Sequence, residues 1–136
     1  MDTSVRRKMI SKTIGAFMIL LLNDVDISDS LNKLGIDNIC IYGMGVLGQY
    51  FYRALEDSNI NVIACVDNNT KIKHSRVPII SASELDTVQE KIDYYIITSE
   101  FYYEQIRDEI VEKYSAKTIL LDSLIEEMIL MNHCYL

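Results

Sequence analysis

The chain has 136 residues, 49% hydrophobic and 24% charged, a balance that fits one folded domain and excludes a disordered chain. A net charge of −7 and a pI near 4.7 repel phosphate backbones, so no nucleic-acid partner is expected. Three cysteines (Cys40, Cys65 and Cys134), none in a CxxC pair, fit a reduced cytoplasmic protein with buried thiols and not a disulfide or metal framework.

Residues 5–22 read as a helix with a wide apolar side: Val5, Met9, Ile10, Ile14, Phe17, Met18, Leu21 and Leu22. Its basic cluster, Arg6-Arg7-Lys8, reads as a solvated helix end. The apolar run 14–22 follows that cluster as the core of a signal peptide would. It falls short of the roughly 20 residues that span a bilayer, and Asn23-Asp24-Val25-Asp26 offers no small-residue cleavage site. No membrane span is expected. A helix this apolar needs cover on more than one side, so it is expected to pair with a second copy or dock on a separate enzyme chain.

Residues 28–34 form a second short helix, with Ser28 or Asp29 as N-cap and Gly35 as the glycine just past its end. These helices make an N-terminal segment over 1–36, and a nucleotide-binding domain is expected over 37–136. Residues 39–42 form a strand buried on both faces. An amphipathic helix then carries Val46, Leu47, Tyr50, Phe51, Ala54 and Leu55 on its inner side and ends at Asn59. Strands follow at 62–66 and 77–80, the latter set at an edge by Pro78. Ser81 and Glu84 have the spacing of a capping box that opens a helix through Leu85 and Val88.

A fourth strand at 94–98 leads into a helix with Ile106, Ile110, Val111 and Tyr114 on one face. A fifth strand at 118–121 precedes a helix opened by a Ser123/Glu126 capping box. Strands alternating with helices predict a three-layer, doubly wound, mainly parallel α/β sheet of about five strands, with an extra N-terminal helix.

Chemistry concentrates in Gly43-Met44-Gly45-Val46-Leu47-Gly48, a GxGxxG turn that leaves a strand and opens a helix. Gly43 permits the tight turn, Gly45 lets a pyrophosphate approach the backbone, and Gly48 lets the helix pack closely. The helix N-terminus offers unpaired N–H groups and partial positive charge to an anion. Asp67 ends the next strand at about the spacing of a ribose-binding acid, and would favour NAD over NADP by repelling a 2′-phosphate. The alternative is that Asp67-Asn68-Asn69 only makes a turn. Thr98, Ser99 and Glu100 fall at the carboxyl end of the fourth strand, where ligands sit in such sheets. For Ser99 the alternative is a helix cap. The candidate nucleotide-binding set is therefore Gly43, Met44, Gly45, Val46, Leu47, Gly48, Asp67, Asn68, Thr98 and Ser99.

No GxSxG, HExxH or Walker lysine occurs, and His74 and His133 read as solvated surface residues. No catalytic set and no metal site is legible.

The stretch Ile41-Tyr42 through Gly48, then Ala64-Cys65-Val66-Asp67-Asn68-Asn69, then Val77-Pro78-Ile79-Ile80 and Tyr95-Ile96-Ile97-Thr98 resembles the small Rossmann domains of bacterial surface-polysaccharide enzymes. These include the N-terminal domain of sugar acetyltransferases and the modules appended to glycosyltransferases and methyltransferases. The resemblance implies phosphates at Gly43, Gly45 and Gly48, and a ribose or base at Asp67. It departs in that no transferase domain follows Leu121, which implies service to a separate chain or excision from a larger one. Three readings remain open: a module that binds NAD, coenzyme A or a nucleotide-sugar; an interaction domain with a vestigial site; and a minimal NAD-dependent oxidoreductase completed by dimerisation, drawing on Tyr42, Ser99 or Glu100.

Overall fold

The computed structural model describes residues 3–72 and 76–136; His74 lies outside the described residues. Runs of β-branched, aromatic and small apolar residues form strands β1 (Asn38–Tyr42), β2 (Asn61–Val66), β3 (Ile79–Ile80), β4 (Tyr94–Ile97) and β5 (Lys117–Leu120). Every neighbouring pair is parallel, and the strand order is β3-β2-β1-β4-β5. β1 is central, and its Ile39, Cys40 and Ile41 are fully buried, as a strand covered on both faces requires. Pro78 lacks an N–H, and the pairing of β3 begins only after it, at the sheet edge.

Side chains alternate across the pleat, and this divides the core in two. Ile39, Ile41, Cys65 and Ile96 face one layer, formed by α1 (Thr3–Leu22), α2 (Ile27–Lys33), α3 (Val46–Leu55) and α5 (Leu121–Met131). Cys40, Ala64, Val66, Tyr95 and Ile97 face the other, formed by α4 (Tyr103–Tyr114) and the 3-10 segments Ala82–Thr87 and Gln89–Lys91. The result is the three-layer, Rossmann-like α/β architecture expected from the alternating elements.

Several local expectations need correction. The N-cap of α2 is Asp26, not Ser28 or Asp29: its carboxylate accepts the Asp29 N–H at 3.0 Å, and Ser28 donates its hydroxyl to the same oxygen at 2.8 Å. These bonds hold the Asp26 carboxyl below its ordinary pKa, the Asp29 N–H contributing most. Gly35 does take the left-handed conformation expected beyond that helix, at φ +76°. α3 stops at Leu55, well before Asn59, where Asp57 turns left-handed at φ 60°.

The segment after Ser81 is 3-10 and not α-helical, although Glu84 reaches back to the Ser81 N–H at 3.3 Å as a capping box demands. α5 starts directly at Leu121, so Ser123 lies inside its first turn and makes no cap. Burial of Leu121 beside the sheet overrides the local Ser123/Glu126 signal. Val111 is largely exposed, off the face that Ile106, Ile110 and Tyr114 turn to the core.

α1 packs Ile10, Ala16, Phe17 and Leu20 on the first core. Its opposite side is uncovered: Leu21 and Leu22 are 76% and 79% exposed, and Ile14 and Met18 are also exposed. Among the described residues no helix is long and apolar enough to cross a membrane.

A polar latch fastens α1 beside the sheet. The buried Thr13 hydroxyl donates to Asp122 Oδ1 at 2.7 Å. Lys12 Nζ lies 3.2 Å from Asp122 Oδ2 and 2.9 Å from Glu100 Oε1. These partners raise the Lys12 pKa, the bond to Glu100 contributing most. Asp122 sits in the first turn of α5, where the helix dipole also favours a negative charge.

A buried hydrogen bond to a charged acceptor contributes more than a half-exposed ion pair. Thr13→Val is expected to cost about 1.5–3 kcal/mol in urea unfolding, because it removes the donor to a buried carboxylate. Lys12→Met is expected to cost under about 1 kcal/mol. Equal losses would show that the latch is held by charge and not by the buried hydroxyl.

Candidate functional site

β1 runs straight into the glycine turn. Gly43 continues the ladder by donating its N–H to Val66 O at 2.8 Å, then turns at φ +106°, a conformation that side chains rarely adopt. The buried Thr98, just past β4, donates its hydroxyl to Gly43 O at 2.9 Å. A Cβ on Gly43 would overlap that hydroxyl. A Cβ on Gly48, one turn into α3, would overlap the Gly43 carbonyl oxygen itself. The close packing expected of Gly48 is therefore made against the turn and not against the sheet.

Gly45 differs. It caps α3 with no side chain on the helix end, its φ of −71° is open to any residue, and a Cβ there would meet nothing within 4 Å. It borders open space over the α3 N-terminus, where the first N–H groups of a helix lack intrahelical partners.

Met44 buries its side chain completely in the core, so it does not plug the turn. Its N–H donates to Asp67 Oδ2 at 2.7 Å, while Asp67 Oδ1 accepts the Asn69 N–H at 2.9 Å. Asp67 is thus a turn residue, as its alternative reading had it, and also a brace across the glycine turn. Each of its oxygens keeps a lone pair for a further donor.

A cleft of about 340 Å³ opens at the carboxyl ends of β1, β2 and β4. The strand order reverses between β1 and β4, the switch point where open α/β sheets place ligands. Gly43, Gly45, Val46, Leu47, Asp67, Asn68, Thr98 and Ser99 all line the cleft. Met44 and Gly48, also expected at the site, stand behind it as supports. Ser99 accepts the Tyr102 N–H at 3.2 Å from three residues ahead of it, and Tyr102 is itself the N-cap of α4. Glu100 and Tyr42 line the cleft too, and burial raises the Tyr42 pKa.

Two groups of lining residues escaped the sequence reading. Phe101 and Tyr102 form a rim, their rings edge to face at 4.8 Å. Arg6, Met9, Ile10 and Thr13 form a wall. Their spacing is one stripe of a helix, so the pattern was legible. Nothing in the pattern said which layer of the sheet α1 would cover.

Away from the cleft, Cys40 and Cys65 are buried and Cys134 is half-buried, with no disulfide among them. Burial raises the Cys40 thiol well above its ordinary pKa. His133 is exposed. Among the described residues no cluster of His, Cys, Asp or Glu could hold a metal ion.

The three glycines should separate in stability measurements. Gly48→Ala is expected to cost at least about 1–3 kcal/mol, since the atom it would strike is rigid backbone. Gly43→Ala should also destabilise, through its positive φ and Thr98. Gly45→Ala should unfold within about 0.5 kcal/mol of the wild-type chain in urea. A large loss at Gly45 would mean that the space over the α3 N-terminus is not open.

The family model described as C2185-like, N-terminal, matches residues 35–120, more than half of the chain. One solved structure, titled as the crystal structure of RSP, a Rex-family repressor, is similar with a TM-score of 0.49 and 22% sequence identity. The match covers 76% of this chain and 64% of that one, so this chain spans under two thirds of that protein's length. No curated protein matches. The surface-polysaccharide part of the resemblance gains no support from these matches.

Proposed function

We propose that this chain, which belongs to the C2185-like N-terminal family, is a nucleotide-binding module that holds a pyrophosphate-containing ligand on its glycine turn, with NAD the first candidate. The observation that carries the reading is the uncapped N-terminus of α3, opening through Gly45 into a cleft at the strand switch point. A phosphate there meets the N–H groups of the first turn and the positive end of the helix dipole. Met44 is not among the donors, because Asp67 already takes its N–H.

Asp67 then stands at the ribose side of the site. Its remaining lone pairs accept a diol, and its charge disfavours a 2′-phosphate, which ranks NAD above NADP. The cleft lies near the lower end of the roughly 300–1,000 Å³ range of ligand pockets, so it fits a nucleoside with its phosphates better than a whole dinucleotide. The rest of the ligand would extend outside it. Coenzyme A and nucleotide-sugars share that arrangement and remain ligand candidates, the latter as the link to polysaccharide enzymes.

The module would serve a partner, a second copy or a separate enzyme chain. The surface for it is the uncovered end of α1, with Met18, Leu21 and Leu22. Beside it lies the tail residue Tyr135, which is tied to Asn23 in both directions at 3.1 and 2.9 Å. The same exposed end favours the second reading, an interaction domain whose nucleotide site is vestigial.

Thermal unfolding with NAD, NADP, coenzyme A, UDP-sugars, dTDP-sugars and CDP-sugars decides between them. The binding reading predicts a gain of about 2.7 kcal/mol at a hundred times the dissociation constant for one of these ligands. The gain should vanish in Gly45→Val. If NAD is the ligand, Asp67→Ala should weaken it while narrowing the gap to NADP. No gain with any of the ligands, in a folded sample, would leave the interaction domain as the function.

A further inference from the structure

We propose that Arg6, carried on α1 from outside the family-matched residues, is a phosphate-binding residue, and that α1 completes the ligand site with a cation that no other described residue of the cleft supplies. The inference rests on the nucleotide reading and extends it to a residue and a ligand class.

Position is the first argument. Arg6, Met9, Ile10 and Thr13 occupy one face of α1, and all four line the cleft into which Gly45 and Val46 open. Thr13 is the fixed point of that face, latched to Asp122. Arg6 lies two turns earlier, about 10 Å along the helix axis. The long arginine side chain therefore hangs from a wall whose inner end is held in place.

Charge is the second. Among the described residues that line the cleft, Arg6 is the one cationic side chain; the other charged ones are the acids Asp67 and Glu100. Glu100 Oε1 pairs with Lys12, which Asp122 shares. Among the described residues no ion pair holds Arg6, as is also true of Arg7, Lys8, Arg53, Lys71, Lys91 and Lys117; of these Arg6 alone lines the cleft. A guanidinium that borders an anion-ready helix end presents a planar fork of donors suited to phosphate oxygens.

Two positive features then meet in one cleft, the α3 N-terminus and Arg6. That pairing fits two linked phosphates better than one. The ligand class is a nucleoside diphosphate, free or as half of a larger cofactor, and α1 acts as the wall that closes over it.

Titration calorimetry on the full chain tests the inference with ADP, UDP, adenosine and uridine against the wild-type chain, Arg6→Gln and Arg6→Lys. The expected result is that Arg6→Gln weakens the bound diphosphate at least about tenfold, the loss of a charge-assisted bond, while the matching nucleoside is unaffected. Arg6→Lys should recover part of that loss, and rising salt should shrink it. Equal diphosphate affinity in Arg6→Gln and the wild-type chain overturns the role of Arg6 and leaves the nucleotide reading standing. An equal loss for the nucleoside also overturns it, since the effect would then come through packing. A wild-type chain that binds neither diphosphate overturns the role of Arg6, and the nucleotide reading falls with it only where the thermal shifts with the dinucleotides, coenzyme A and nucleotide-sugars are absent too.

Discussion

The carbonyl of Gly43 is held between two neighbours that leave no room for a side chain. Thr98 donates its hydroxyl to it from the end of β4, and Gly48 brings α3 against it from above. That one oxygen ties the central strand, the next strand in the sheet and the first turn of α3 together. The orientation of the α3 N-terminus follows from it, and so does the opening at Gly45. Asp67 adds a second brace from the end of β2, so the turn is fixed from both strands that flank β1. Bracing of this kind fixes the turn, and a turn fixed in advance lowers the ordering cost of the binding proposed for it.

α1 enters this arrangement from outside the family-matched residues 35–120. It contributes apolar cover to one core, a buried hydroxyl to Asp122, and a stripe of residues to the cleft wall. The same helix leaves Met18, Leu21 and Leu22 in solvent. One element therefore lines the cleft at its first turns and leaves an apolar surface exposed at its last. The latch at Thr13 lies between the two.

Much of this was legible in the residues. The strands fell within a residue or two of expectation, apart from the shorter β3, because β-branched runs such as 62–66 have few other ways to pack. GxGxxG located the turn because Gly43 and Gly48 answer steric demands there. The expectations that failed turned on choices that the local pattern does not rank. Ser123 looked like a cap, but burial of Leu121 starts α5 earlier. Asp26 displaced Ser28 and Asp29 as the cap of α2, three acceptors competing within four residues. Asp67 was placed at the site by spacing alone, yet its bond to the Met44 N–H depends on how β2 and the turn meet in space. The α1 wall was the largest omission: a helix with apolar residues on most sides does not announce which of them will face a cleft.

The central claim is that a nucleotide phosphate sits on the N-terminus of α3. Backbone amide shifts in a two-dimensional nitrogen–proton spectrum, followed as NAD is added, test it most directly. The account predicts the largest movements at Gly45, Val46 and Leu47, smaller ones around Asp67, and none at Leu21 and Leu22. Saturable movements confined to other residues, or a spectrum indifferent to the ligand, would contradict it.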